Sequence, residues 1–170
     1  MKTEDVSENP EVISFIASAK RFCRFVEDSR SLPVSEFLMQ SAKILPELYI
    51  NGANLPEVET DSEDALAHSI THDQWKILFD DLKDYFGKYD FYLETFDPTN
   101  LKEEGTVGSS LSDDLADIHR DIKNGLAMMG KIELNEIVWH WKFNFNIHWG
   151  DHLTDALRVI HRLVFQNIAE

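Results

Sequence analysis

The sequence predicts an all-α fold, a single-domain bundle of about five helices spanning residues 1–170 and closed by a long, largely buried C-terminal helix. Three observations predict it. Apolar residues recur at three- and four-residue spacing in five stretches. Residues suited to helix caps stand at the start of several of them. The one stretch that alternates like a strand, residues 89–98, finds no second stretch to pair with.

The first helix opens at Asn9-Pro10. Asn is a strong N-cap, and Pro at the first helical position loses nothing, because its missing N–H would be unpaired anyway. Val12, Phe15, Ile16, Ala19, Phe22, Cys23 and Val26 form its apolar stripe, and residues 1–8 before it are expected to be flexible. Ser31-Leu32-Pro33 restarts the chain into a second helix carrying Val34, Phe37, Leu38, Ile44, Leu45 and Leu48. Its end is expected near Asn51-Gly52, with Gly52 as a left-handed cap, and Pro46 is expected to loosen its last turns. Residues 53–70, with Pro56 and the acidic Glu57, Glu59, Asp61, Glu63 and Asp64, read as a solvated loop.

Thr71 and Gln74 are spaced for a capping box, and a third helix follows through Trp75, Leu78, Phe79, Leu82, Tyr85 and Phe86 to Gly87. Residues 89–98, YDFYLETFDP, are expected to be an extended or short helical connector, since a lone strand cannot satisfy its backbone. The Gly- and Ser-containing stretch within 97–110 reads as a second loop. A fourth helix carries Leu115, Ile118, Ile122, Leu126 and Met129 and stops near Gly130. The last helix runs from Leu134 to about Ile168 on the stripe Leu134, Val138, Trp141, Phe145, His148, His152, Ala156, Val159 and Leu163. Apolar residues on its other faces make it central in this reading. Gly150 is its weak point, costing about 1 kcal/mol relative to Ala, and periodicity does not decide whether the helix passes through it.

The chain has 16 Lys+Arg against 31 Asp+Glu, a formal charge of −15. That excess argues against nucleic acid and against an anionic membrane surface as partners, since both need clustered cations. No apolar run approaches the roughly 18–20 residues of a membrane span. MKTEDVSENP lacks the apolar core of a secretory signal, and the single Cys23 forms no internal disulfide, so a reducing cytoplasm is expected.

His148 and His152 are the chemically unusual pair, one turn apart on the apolar stripe. An imidazole buried without a partner costs roughly 1–3 kcal/mol, so each needs a hydrogen-bond acceptor or a metal. The preceding helix offers Asp113, Asp114, Asp117 and Asp121, and antiparallel packing would bring Asp114 and Asp121 to the histidines. Three readings follow. The histidines are satisfied core residues; or they line a small pocket walled by Trp141 and Trp149; or they ligate a metal, since residues at i and i+4 converge on one ion. The first carries most weight, because structural networks use the same ingredients and the paired Glu-x-x-His motifs of di-iron bundles are absent. His68 and His72 have the same spacing but straddle a helix start beside acidic residues, as an exposed pair would. Cys23, between Phe22 and Arg24 on an apolar face, reads as an inert thiol, and no phosphate loop or nucleophile elbow occurs.

Three stretches carry a resemblance: DDLADIHRDIKNGL (113–126), WHWKFNFNIHWGDHLTDALRVIHRL (139–163) and FLMQSAKILPELYINGANLP (37–56). They resemble a family of bacterial proteins known only as a domain of unknown function. The most specific piece is His148-Trp149-Gly150 followed by His152 and Asp155-Ala156-Leu157. The family's first motif carries Tyr where this chain has His119. The resemblance implies an all-helical fold and a bacterial cytoplasmic setting, and it implies no activity, so no catalytic residue is carried over.

The sequence therefore points to a non-enzymatic interaction or accessory module with a basic or neutral protein partner. Its candidate binding residues are His148, His152, Trp141, Trp149, Asp114, Asp117 and Asp121. No catalytic residue, metal ligand or cofactor is assigned. The alternative is a metal-binding protein or metal-dependent hydrolase using His148 and His152 with Asp114 or Asp121. Charge alone suggests a third possibility, a regulator that meets a basic protein through residues 57–64 and 80–84.

Overall fold

The computed structural model describes residues 6–60, 69–95, 98–100, 102 and 105–166. It is a mostly helical bundle with one small hairpin. A short turn, Val6–Glu8, buries Val6 ahead of α1 (Pro10–Glu27), so residues 6–8 belong to the packed structure and not to the flexible start expected from sequence. The Asn9 side chain accepts hydrogen bonds from the N–H groups of Glu11 and Val12 at 2.8 and 3.2 Å, the cap its position predicts.

α2 (Val34–Ala53) runs through Pro46 and past Gly52. Gly52 is helical and not a left-handed cap. Its role is close approach, because a Cβ there would lie 2.4 Å from Trp149 Cη2. α3 (His72–Phe86) begins with the Thr71–Gln74 capping box and ends at Gly87, whose φ of 53° suits glycine. His68 and the acidic Asp61, Glu63 and Asp64 lie outside the described residues.

Residues 91–94 form a strand, not the connector expected. β1 (Phe91–Glu94) pairs antiparallel with β2 (Val107–Ser110), Phe91 opposite Ser110 and Glu94 opposite Val107. The partner is Val-Gly-Ser-Ser, which has no apolar alternation and so reads as loop; main-chain pairing makes it a strand. The hairpin leads directly into α4 (Leu111–Met128). Asp90, just before β1, grips that start: its Oδ1 accepts from Ser112 N at 2.8 Å and its Oδ2 from Ser112 Oγ at 3.0 Å. A buried carboxylate there also faces the positive end of the helix dipole.

The C-terminal rod comprises α5 (Leu134–Asn144), a π turn (Phe145–Trp149) and α6 (Gly150–Phe165). The chain passes through Gly150 without a break. Gly150 serves the π turn, since a Cβ would sit 2.3 Å from the Phe145 carbonyl oxygen. A π turn holds one more residue than an α turn, and each residue is worth about 100° of rotation. On an unbroken helix Trp141 and Trp149 would stand about 80° apart; the extra residue brings them to within about 20°. Accordingly the Trp149 indole N–H donates to the Trp141 carbonyl at 3.1 Å.

The buried line of the rod is therefore Ile137, Val138, Trp141, then Trp149, Leu153, Ala156 and Ile160. Val138, Trp141 and Ala156 stand where expected, but Trp149, Leu153 and Ile160 take the places expected of His148, His152 and Val159, and the two histidines move to the margin. The rod is not buried on all sides: Phe143, Ile147 and Phe165 are exposed. The central helix is α4, which packs against α1, α3, α5 and α6. The core includes Phe15, Phe22, Phe37, Leu45, Leu115 and the two tryptophans, with the Phe15 ring tilted against Trp141 at 4.9 Å between centroids.

Candidate functional site

α4 presents Asp114, Asp117 and Asp121 at three- and four-residue spacing, so the three carboxylates share one face, and that face meets α6. His148 Nδ1 lies 2.7 Å from Asp121 Oδ2, and His152 Nδ1 lies 3.0 Å from Asp114 Oδ1. A carboxylate only accepts, so the ring N–H donates in both cases. The two rings are 4.9 Å apart and nearly perpendicular. Their Nε2 atoms turn towards Asp117 Oδ2, at 3.5 Å from His152 and 3.9 Å from His148. Both separations exceed the 2.7–3.2 Å of a good N–H···O bond.

Asp114 is 1% exposed and its second oxygen accepts from the Tyr92 hydroxyl at 2.6 Å. Tyr92 points inward from β1, so the hairpin helps to build the site. Asp117 is also buried. Arg120 Nη2 stands 2.8 Å from Asp117 Oδ1 in ion-pair contact but outside hydrogen-bond geometry, which leaves that oxygen without a hydrogen-bond donor. The imidazoles remain partly open, with side chains 35% exposed at His148 and 24% at His152. Outside them lies a surface depression of about 620 Å³ bordered by Thr71, His72, Arg120, Asp121, Asn144 and His148.

Burial opposes the charge on His152, but its hydrogen bond to Asp114 and the negative charges of Asp114, Asp117 and Asp113 outweigh it and raise the imidazole to about 9. Burial raises Asp114 as well, against the hydrogen bonds from His152 and Tyr92. Asp113 is raised by burial and by the nearby charge of Asp117. Beyond His152, Asp155 is raised to about 6 by burial and by the charge and hydrogen bond of Glu94. Glu94 Oε2 is buried without a hydrogen-bond partner. The whole edge of α6 that faces α4 and β1 is thus held in a negative field.

The candidate residues separate into two groups. His148, His152, Asp114, Asp117 and Asp121 stand together. Trp141 and Trp149 do not wall a pocket beside them: at 1% and 0% exposure they are core residues, turned inward by the π turn. Sequence reasoning missed Tyr92, Glu94 and Arg120. Tyr92 and Glu94 lie two apart and so share a strand face, a signal legible only once residues 91–94 are known to be a strand. Asp155, noted only within the family-like run, is one helical turn beyond His152.

Residues 6–166 match the family described as a domain of unknown function (DUF5063). Among solved structures the chain is similar to the crystal structure of protein BF1032 from Bacteroides fragilis, a structural genomics target. The two share 28% identity and superpose with a TM-score of 0.78 over 91% of this chain and 92% of that one. No curated protein matches the chain. Among the described residues, no helix is long and apolar enough to cross a membrane.

Proposed function

The chain belongs to the DUF5063 family, and we propose that it acts in the bacterial cytoplasm as a single-domain, non-enzymatic interaction or accessory module. The His/Asp cluster between α4 and α6 is its contact point, and a basic or neutral protein is its partner. One observation carries this reading. Each imidazole is anchored on its inner side by an α4 carboxylate while a quarter to a third of its side chain stays open to solvent. Such a network is rigid where it meets the core and available where it meets water.

Other features agree. The formal charge of −15 favours a cationic or neutral partner over an anionic one. Ile147, at 58% exposure, places an apolar side chain next to His148. The one thiol is unsuited to nucleophilic chemistry: Cys23 is buried and burial pushes it up to about 12.

The test is a photo-crosslinking residue at Ile147 in cells. The expected result is an adduct with one discrete protein, reproduced from purified components and weakened by His148→Ala. Absence of any discrete adduct from this position overturns the reading.

A further inference from the structure

The two imidazoles of the cluster have the polarity of metal ligands already oriented by their neighbours. In metal sites a ligating histidine donates its other ring N–H to a carboxylate or carbonyl, which fixes the tautomer and aims the remaining nitrogen at the ion. Here both rings donate from Nδ1, His148 to Asp121 and His152 to Asp114, and both keep Nε2 for the space next to Asp117. Asp114 is held in turn by Tyr92. Asp117, His148 and His152 each offer one ligand atom, all within 4.8 Å of one another, and Asp117 Oδ2 stands 3.9 and 3.5 Å from the Nε2 atoms of His148 and His152. Bonds of about 2.0–2.2 Å to a tetrahedral ion imply ligand atoms roughly 3.4 Å apart. The His152–Asp117 separation of 3.5 Å already meets that figure. Asp117 Oδ1 is taken up by the Arg120 guanidinium in ion-pair contact, so Oδ2, the oxygen nearest both imidazole Nε2 atoms, is the one that would reach an ion.

We propose that Asp117, His148 and His152 bind one divalent transition-metal ion of the zinc type, with Asp114 and Asp121 orienting the imidazoles from behind. Helical spacing alone offers Asp114 or Asp121 as the carboxylate ligand; the geometry gives that place to Asp117. Two nitrogens and one oxygen suit zinc and its first-row neighbours better than calcium or magnesium, which take oxygen ligands. Binding replaces any proton on the two Nε2 atoms, which leaves to solvent, and the ion's charge offsets the three carboxylates around it. Three protein ligands leave a position open towards the exposed edge of the rings, where water or an oxygen or nitrogen atom of a partner can enter. This inference goes beyond the interaction reading. A chain that binds Zn²⁺ and crosslinks to nothing, or the reverse, separates the two.

The experiment is calorimetric titration of the untagged, chelator-stripped full chain with Zn²⁺. One ion per chain is expected. Asp117→Asn and His148→Ala should each weaken binding by about a hundredfold or more, and Asp121→Asn, which removes only an orienting group, by about tenfold to a hundredfold at the same stoichiometry. Absence of saturable binding overturns the proposal, as does an affinity unchanged in Asp117→Asn and His148→Ala. If a variant fails to fold, Co²⁺ added to the unaltered chain decides. Visible ligand-field absorption with displaced Nε2 resonances of His148 and His152 supports the site; unmoved resonances overturn it.

Discussion

Helix α4 makes histidine–carboxylate contacts on each of two faces, and the two faces are built to opposite ends. Towards α1, His119 is buried at 7% exposure; its Nε2 lies 2.9 Å from Glu27 Oε1, and Lys123 Nζ reaches the same oxygen at 2.7 Å. Burial lowers His119 despite Glu27, and Glu27 is lowered because the Lys123 and His119 hydrogen bonds outweigh its own burial. That face is a neutral ring on a charged carboxylate already held by a lysine. Towards α6, three carboxylates face two partly open imidazoles and one arginine, His152 is raised, and a buried oxygen is left without a donor. Identical residue types therefore give a closed joint on one side and an unfinished site on the other. What separates them is the ratio of carboxylates to cations and the depth of the ring.

The sharpest way to break this comparison is Asp114→Ala. Asp114 is 1% exposed and supports both Tyr92 and His152. Its removal strands two partners and should cost about 3 kcal/mol in urea unfolding. A loss below about 1 kcal/mol would make the α6 face no more than a surface pair. Next in size is the contrast between His119→Ala and His148→Ala. The buried ring should cost about 1–3 kcal/mol, whereas the more exposed one should cost roughly 1 kcal/mol or less. Equal losses would erase the distinction drawn here.

The smallest effect is also the most specific. In metal-free protein, ¹⁵N titration of the imidazoles should move in opposite directions. His119, lowered in the folded chain, contributes stability that is present above the unfolded value of about 6.5 and is lost as pH falls through its folded value. His152, raised to about 9, contributes stability that is full below about 6.5 and is lost as pH climbs through 9. Two rings titrating together near 6.5 would contradict both environments.

Much of the helical frame was legible because its signals are local. Asn9-Pro10, the Thr71–Gln74 box and Gly87 each act within a turn or two of their own position. The matching of imidazoles with α4 carboxylates was legible for a similar reason, since four-residue spacing on two adjacent helices leaves few ways to pair them. Two features were hidden because nothing local marks them. Val107–Ser110 is a strand only through its pairing with Phe91–Glu94. The π turn leaves no compositional trace except Gly150, which reads as a defect until the Phe145 carbonyl is seen beside it. That hidden residue explains why the tryptophans read as pocket walls and the histidines as core residues on the apolar stripe.

The hairpin has one more consequence. Along β1, Phe91 and Leu93 face water while Tyr92 between them faces Asp114. Neighbouring side chains on a strand point to opposite sides of one stiff ribbon, so they cannot be displaced separately. Anything that grips the outer pair and peels the ribbon withdraws the phenol from its acid, and the α6 cluster loses its innermost brace without ever being touched.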